Sequence, residues 1–135
     1  MSFEAVVVIG IGIIVLSIAL FIVWRIIPKR VKKTKFQKQW RDLQKYCKHK
    51  ETWPTALIKA DDLLDIALRR KRFKGRNMGE RLVAAQKKFT DNDAVWFAHK
   101  LTSKLRDHPK ARLKEKEVKD ALISLGQAMK DIGVL

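Results

Sequence analysis

The side chains able to do chemistry are few and scattered. Three histidines, His49, His99 and His108, fall in separate segments, and none has a carboxylate or a second histidine four residues away on a shared inner face. That pattern gives no metal site. The single cysteine, Cys47, excludes an internal disulfide and any multi-cysteine zinc site. It sits in an amphipathic pattern and reads as an ordinary buried thiol. There is no G-x-x-x-x-G-K phosphate loop, and no cofactor is expected. Gly75-Arg76-Asn77-Met78-Gly79 does set backbone N–H groups beside two cations, Lys74 and Arg76, at the start of a predicted helix. Helix N-termini attract anions, although a turn with a helix cap is the simpler account of the stretch.

Asp61 is the most informative carboxylate. At 100° per residue it lies roughly 40° round from Leu57, at the edge of an apolar helix face. A carboxylate there needs a partner, because burying it unpaired is costly. Arg81 and His99 are the candidates, and a structural Asp61–His99 or Asp61–Arg81 bond is expected.

The elements that must position these groups all read as helices. A first soluble helix over Thr34–Lys48 has Phe36, Trp40, Leu43 and Cys47 on one face. A second, Trp53–Lys71, has Thr52 as its expected N-cap and Pro54 in its first turn. It closes on Arg69, Arg70, Lys71 and Arg72, which suits the negative end of the helix dipole. A third opens at Asn77, with Glu80 completing a capping box. A fourth starts near Asp91, presents Ala94, Ala98, Leu101 and Leu105, and ends at His108-Pro109; Trp96 on its opposite side implies neighbours on two sides. A fifth spans Lys114–Ile132, with Val118, Ala121, Leu122, Leu125, Ala128, Met129 and Ile132 inside. No strand is expected. The fold class is all-α: a small up-and-down bundle of about five helices.

One stretch stands apart. Ala5–Trp24 is 20 residues without a charge, about 30 Å as a helix, the thickness of a bilayer's hydrocarbon core. The rest of the chain is too short to wrap such a helix. A cleaved signal peptide is disfavoured by the length of the run, the lack of a basic residue before it and the lack of a small-residue cleavage site after it. A span over residues 5–27 is therefore expected, with residues 1–4 outside. Residues 28–35 form a basic linker carrying Lys29, Arg30, Lys32, Lys33 and Lys35, entered through the helix-breaking Pro28, and residues 36–133 form the bundle. Residues 25–50 are net +10 and residues 1–24 are net −1, so the bundle is expected in the cytoplasm. Trp24 would sit at the inner interface. Gly10, Gly12 and Ser17 are not spaced as G-x-x-x-G, so pairing through the span has little support, and the oligomeric state is open.

Trp53-Pro54-Thr55-Ala56-Leu57-Ile58-Lys59-Ala60-Asp61-Asp62-Leu63-Leu64-Asp65, Lys74-Gly75-Arg76-Asn77-Met78-Gly79-Glu80-Arg81-Leu82 and Trp96-Phe97-Ala98-His99-Lys100-Leu101 together resemble a set of small bacterial membrane proteins. Those have one N-terminal span and a cytoplasmic domain similar to the HEPN (higher eukaryotes and prokaryotes nucleotide-binding) bundle. Catalytic HEPN proteins are metal-independent ribonucleases that use an arginine, usually followed by Asn or another polar residue, and then a histidine after four to six intervening positions. Here Thr102 and Ser103 stand where Arg-Asn would be, and Asp107 where the histidine would be. The resemblance thus implies the bundle without the activity.

The formal charge of +16 points to anionic partners. The basic linker can be topology alone or an attraction to anionic headgroups. The Arg69–Arg72 run with Phe73, Lys74 and Arg76 can be a solvated helix end or a contact for RNA, DNA or anionic lipid, although no base-reading motif accompanies it. The leading expectation is a membrane-anchored, non-catalytic helical module that binds a partner in the cytoplasm, a protein or a nucleic acid. Electrostatic binding of nucleic acid or anionic lipid comes second, and ribonuclease activity third.

Overall fold

The computed structural model describes residues 2–27 and 32–135. Pro28, Lys29, Arg30 and Val31, including two of the predicted linker cations, lie outside the described residues. The chain is all-helical: among the described residues 81% are helix and none is strand.

α1 (Phe3–Ile26) has no buried residue and is the one helix, among the described residues, long and apolar enough to cross a membrane. Ser2 caps it by accepting from the Ala5 N–H at 3.3 Å. Ser17 donates to the Ile13 carbonyl at 2.8 Å, so its hydroxyl is satisfied within the helix.

The bundle consists of α2 (Lys33–Gln44), α3 (Trp53–Arg70), α4 (Met78–Ala85), α5 (Asn92–Asp107) and α6 (Glu115–Asp131). α3 is its axis, and each of the other four packs on it. Its inner residues Leu57, Leu64 and Leu68 meet Phe36, Leu82, Leu105, Leu125 and Met129, all with essentially no exposure. Burying a leucine or phenylalanine of this kind is worth about 1.5–3 kcal/mol.

Some local expectations change. The first soluble helix stops at Gln44, and Lys45–Lys48 tightens into a 3-10 turn. Thr52 is the N-cap residue of α3, as expected, but its side chain makes no capping hydrogen bond. Its hydroxyl instead donates to the Tyr46 and His49 carbonyls, which closes the α2–α3 loop. Asn77 caps α4 by accepting from the Glu80 N–H at 2.9 Å, but the Glu80 carboxylate turns to the Arg76 N–H at 2.6 Å. The inner face of α5 is Val95, Ala98, Thr102 and Leu105, rotated from the expected one, with Ala94 and Leu101 half-buried. Trp96 has the expected second neighbour: its ring packs beside Gly79 of α4.

Candidate anion-binding end of the bundle

The antiparallel course of the helices gathers distant cations. α2 begins at most about 25 Å from the end of α1, the reach of the seven peptide steps from Ile26 to Lys33. In the first turn of α2, the Phe36 ring lies under the Arg70 guanidinium at 5.9 Å. The C-terminal end of α3 therefore lies beside the start of α2. The end of α6 joins them, with Lys71 beside Gly133. The Arg72 guanidinium donates to the Arg25 carbonyl, one of the α1 C-terminal acceptors that have no partner inside the helix. Lys32, Lys33 and Lys35 thus share one end of the bundle with Arg69–Arg76, more than thirty residues later in sequence. Lys29 and Arg30 fall outside the described residues.

The turn from α3 to α4 is fixed by three devices. First, α3 ends in a Schellman motif: the Phe73 N–H reaches the Leu68 carbonyl at 3.0 Å and the Arg72 N–H reaches that of Arg69 at 3.0 Å. Arg72 holds the left-handed position at φ 63°. Second, Arg81 grips Asp65 with two nitrogens, Nε to Oδ1 at 2.7 Å and Nη2 to Oδ2 at 3.1 Å, while its Nη1 donates to the Gly75 carbonyl at 2.8 Å. Third, Gly75 passes so close to α4 that a Cβ would sit 2.7 Å from the Arg81 nitrogen, so only glycine fits.

Asp65 anchors this arrangement. Burial pushes its carboxyl up, but hydrogen bonds and charge from Arg81 and then Arg69 outweigh burial and hold it below the ordinary carboxylate value. Arg69 and Arg81 are both committed to Asp65, at 2.8 and 2.7 Å. Lys71, Arg72, Lys74 and Arg76 have no carboxylate partner among the described residues. A cleft of about 890 Å³ opens here between Trp24, Arg25 and Ile26 on one side and Arg72, Phe73 and Lys74 on the other. It combines cations with apolar walls, a setting for a phosphate-bearing amphiphile.

The second polar cluster lies deeper. Asp61 is 2% exposed and receives His99 Nδ1 at 3.1 and 3.2 Å from its two oxygens. Arg106, two turns on from His99, sits 3.6 Å from Asp61 and 2.6 Å from Asp62. Of the two expected partners His99 is the one found, and Arg81 is held by Asp65 instead. Asp65, Asp62 and Arg106 escaped the sequence reading. The four-residue spacing from Asp61 to Asp65 to Arg69 was the available clue, since it stacks these groups on one helix face. Thr102 is fully buried and donates to the His99 carbonyl at 2.7 Å, and Ser103 does the same at 3.1 Å. The Asp61–His99–Arg106 cluster ties α3 to α5. Cys47 is half-buried, and burial pushes its thiol up, which leaves it a poor nucleophile at neutral pH.

A scan against known protein families, a search of curated proteins and a search of solved structures each find no match to this chain.

Proposed function

We propose that the protein is a single-pass membrane protein of the cell membrane, with its N-terminus outside and its bundle in the cytoplasm, acting as a non-catalytic binding module pressed against the anionic inner leaflet. The observation that carries this reading is the return of the Arg69–Arg76 turn to the end of the bundle where α1 emerges. Eight cations then belong to the segments gathered at that end: Lys32, Lys33, Lys35, Arg70, Lys71, Arg72, Lys74 and Arg76. Each is worth about 1 kcal/mol close to an anionic surface, an attraction lost beyond a Debye length of about 8 Å. α3 is about 27 Å long by its 18 residues, so the opposite end, around residues 45–52 and 108–114, stands clear and is free for a cytoplasmic protein partner. The span beside the basic end favours lipid over nucleic acid, because a polymer would have to pass between bundle and bilayer. The HEPN-like kinship stays within this proposal, supported by the order of the three motifs on α3, the α3–α4 turn and α5.

The test is amide hydrogen exchange on the full chain in nanodiscs. Exchange across residues 70–76 should slow in phosphatidylglycerol-containing discs relative to phosphatidylcholine alone, and the difference should fade as salt rises. Equal exchange in both discs, or protection by added RNA instead, would refute the reading.

A further inference from the structure

We infer that the cleft between the inner end of α1 and the α3–α4 turn is a discrete site for one anionic phospholipid, with its phosphate held by Arg72, Arg25 and Lys74. The inference rests on the leaflet reading above but goes beyond general attraction, because the site is built. Trp24 and Ile26 supply an apolar wall continuous with α1, suited to the glycerol and upper acyl chains. Arg72, Phe73 and Lys74 form the opposite wall.

Two helix C-termini point into this region, and their bare carbonyls would repel an anion. Both are covered. Arg72 donates to the Arg25 carbonyl, and the Schellman bonds occupy those of Leu68 and Arg69. The half-buried carboxylate beside the cleft, Asp65, has its oxygens taken by Arg81 and Arg69. The same Arg81 fixes the turn through the Gly75 carbonyl before any ligand arrives, which removes an ordering cost from binding.

Arg72 is the sharpest sign. It holds a left-handed conformation at φ 63°, where a glycine would sit without strain. Its guanidinium spends one donor on α1 and has others for a phosphate. A zwitterionic headgroup would bring its ammonium among Lys74, Arg76 and Arg25, so the site selects net-anionic lipids.

The test is native mass spectrometry of the full chain released from nanodiscs of equal phosphatidylcholine, phosphatidylethanolamine and phosphatidylglycerol. One phosphatidylglycerol should be retained with at least a tenfold preference. Arg72→Gly and Lys74→Ala should each lower retention about tenfold, while the melting midpoint of Arg72→Gly is no lower than that of the parent. Arg112→Ala, at the far end, should leave retention unchanged. No lipid preference, or full retention by Arg72→Gly, would overturn the inference. So would displacement of the lipid by inorganic phosphate at matched concentration, which would make this a site for soluble phosphate. If no lipid is retained but anionic discs still slow exchange across residues 70–76, the discrete site fails and the leaflet reading stands; if exchange is also unchanged, both fail.

Discussion

Two helices of this protein end in the same motif with different residues at its critical position. α6 closes with the Val134 N–H on the Met129 carbonyl and the Gly133 N–H on that of Lys130, both at 3.0 Å, and Gly133 takes φ 82°. α3 closes through the same pair of bonds with Arg72 at φ 63°. A left-handed residue with a Cβ costs roughly 1–2 kcal/mol more than one without. The α6 end is built for stability: Val134 is fully buried, and Asp131 receives the Thr90 N–H at 2.7 Å. The α3 end accepts strain and presents a guanidinium toward α1. Local economy is given up where a side chain is needed, and that is where a function should be sought.

A parallel contrast holds between the two carboxylates one turn apart on α3. Asp65 braces the cationic turn through Arg81, whereas Asp61 braces the packing of α3 on α5 through His99. Asp65→Ala should be the most damaging change, lowering stability by about 3 kcal/mol because it leaves a buried guanidinium uncompensated. Denaturant unfolding of the full chain in detergent measures it, and hydrogen exchange should rise first across residues 73–76. Asp61→Ala should cost less, about 2 kcal/mol, because it takes one hydrogen-bond partner from the His99 ring while Arg106 keeps Asp62. Exchange in the turn should stay as in the parent. Equal loosening of the turn by both variants would erase the distinction between the clusters.

The helix ends give the next pair. Gly133→Ala should destabilise by about 1 kcal/mol, since the new Cβ must enter the left-handed region. Arg72→Gly should have the opposite sign, gaining up to about 1 kcal/mol, by the same denaturation measurement. A loss at Arg72→Gly would mean that the side chain stabilises the bundle itself.

The smallest expected effect is on acid stability. Asp65 has a folded carboxyl below its unfolded value of about 3.9. Its contribution is therefore complete above that pH and is lost as the pH falls through the folded value. A titration of stability between pH 5 and 2 should fall less steeply in Asp65→Asn than in the parent.

Much of this was legible in the sequence. The starts and ends of α3, α5 and α6 followed from Pro54, Asp91 and the apolar spacing, because capping chemistry and the 3.6-residue period are local. The need of Asp61 for a partner could be read from its place at the edge of an apolar face, and His99 was among the candidates. What could not be read was non-local. Nothing in the linear order says that Arg81 prefers Asp65, one turn beyond Asp61, or that Thr102 turns inward. A left-handed arginine also has no sequence mark, since the residue usually found there is glycine. Above all, the two basic segments looked like separate features, and only the antiparallel course of α2 and α3 brings them to one end.

That convergence can be measured directly. In a Cys47→Ser background, spin labels at Lys74→Cys and Arg112→Cys would be compared in anionic bilayers carrying a headgroup-tethered paramagnetic relaxer. Strong relaxation at position 74 and little at 112 is expected. Equal relaxation at both positions, or stronger relaxation at 112, would contradict a bundle seated with its basic turn on the membrane.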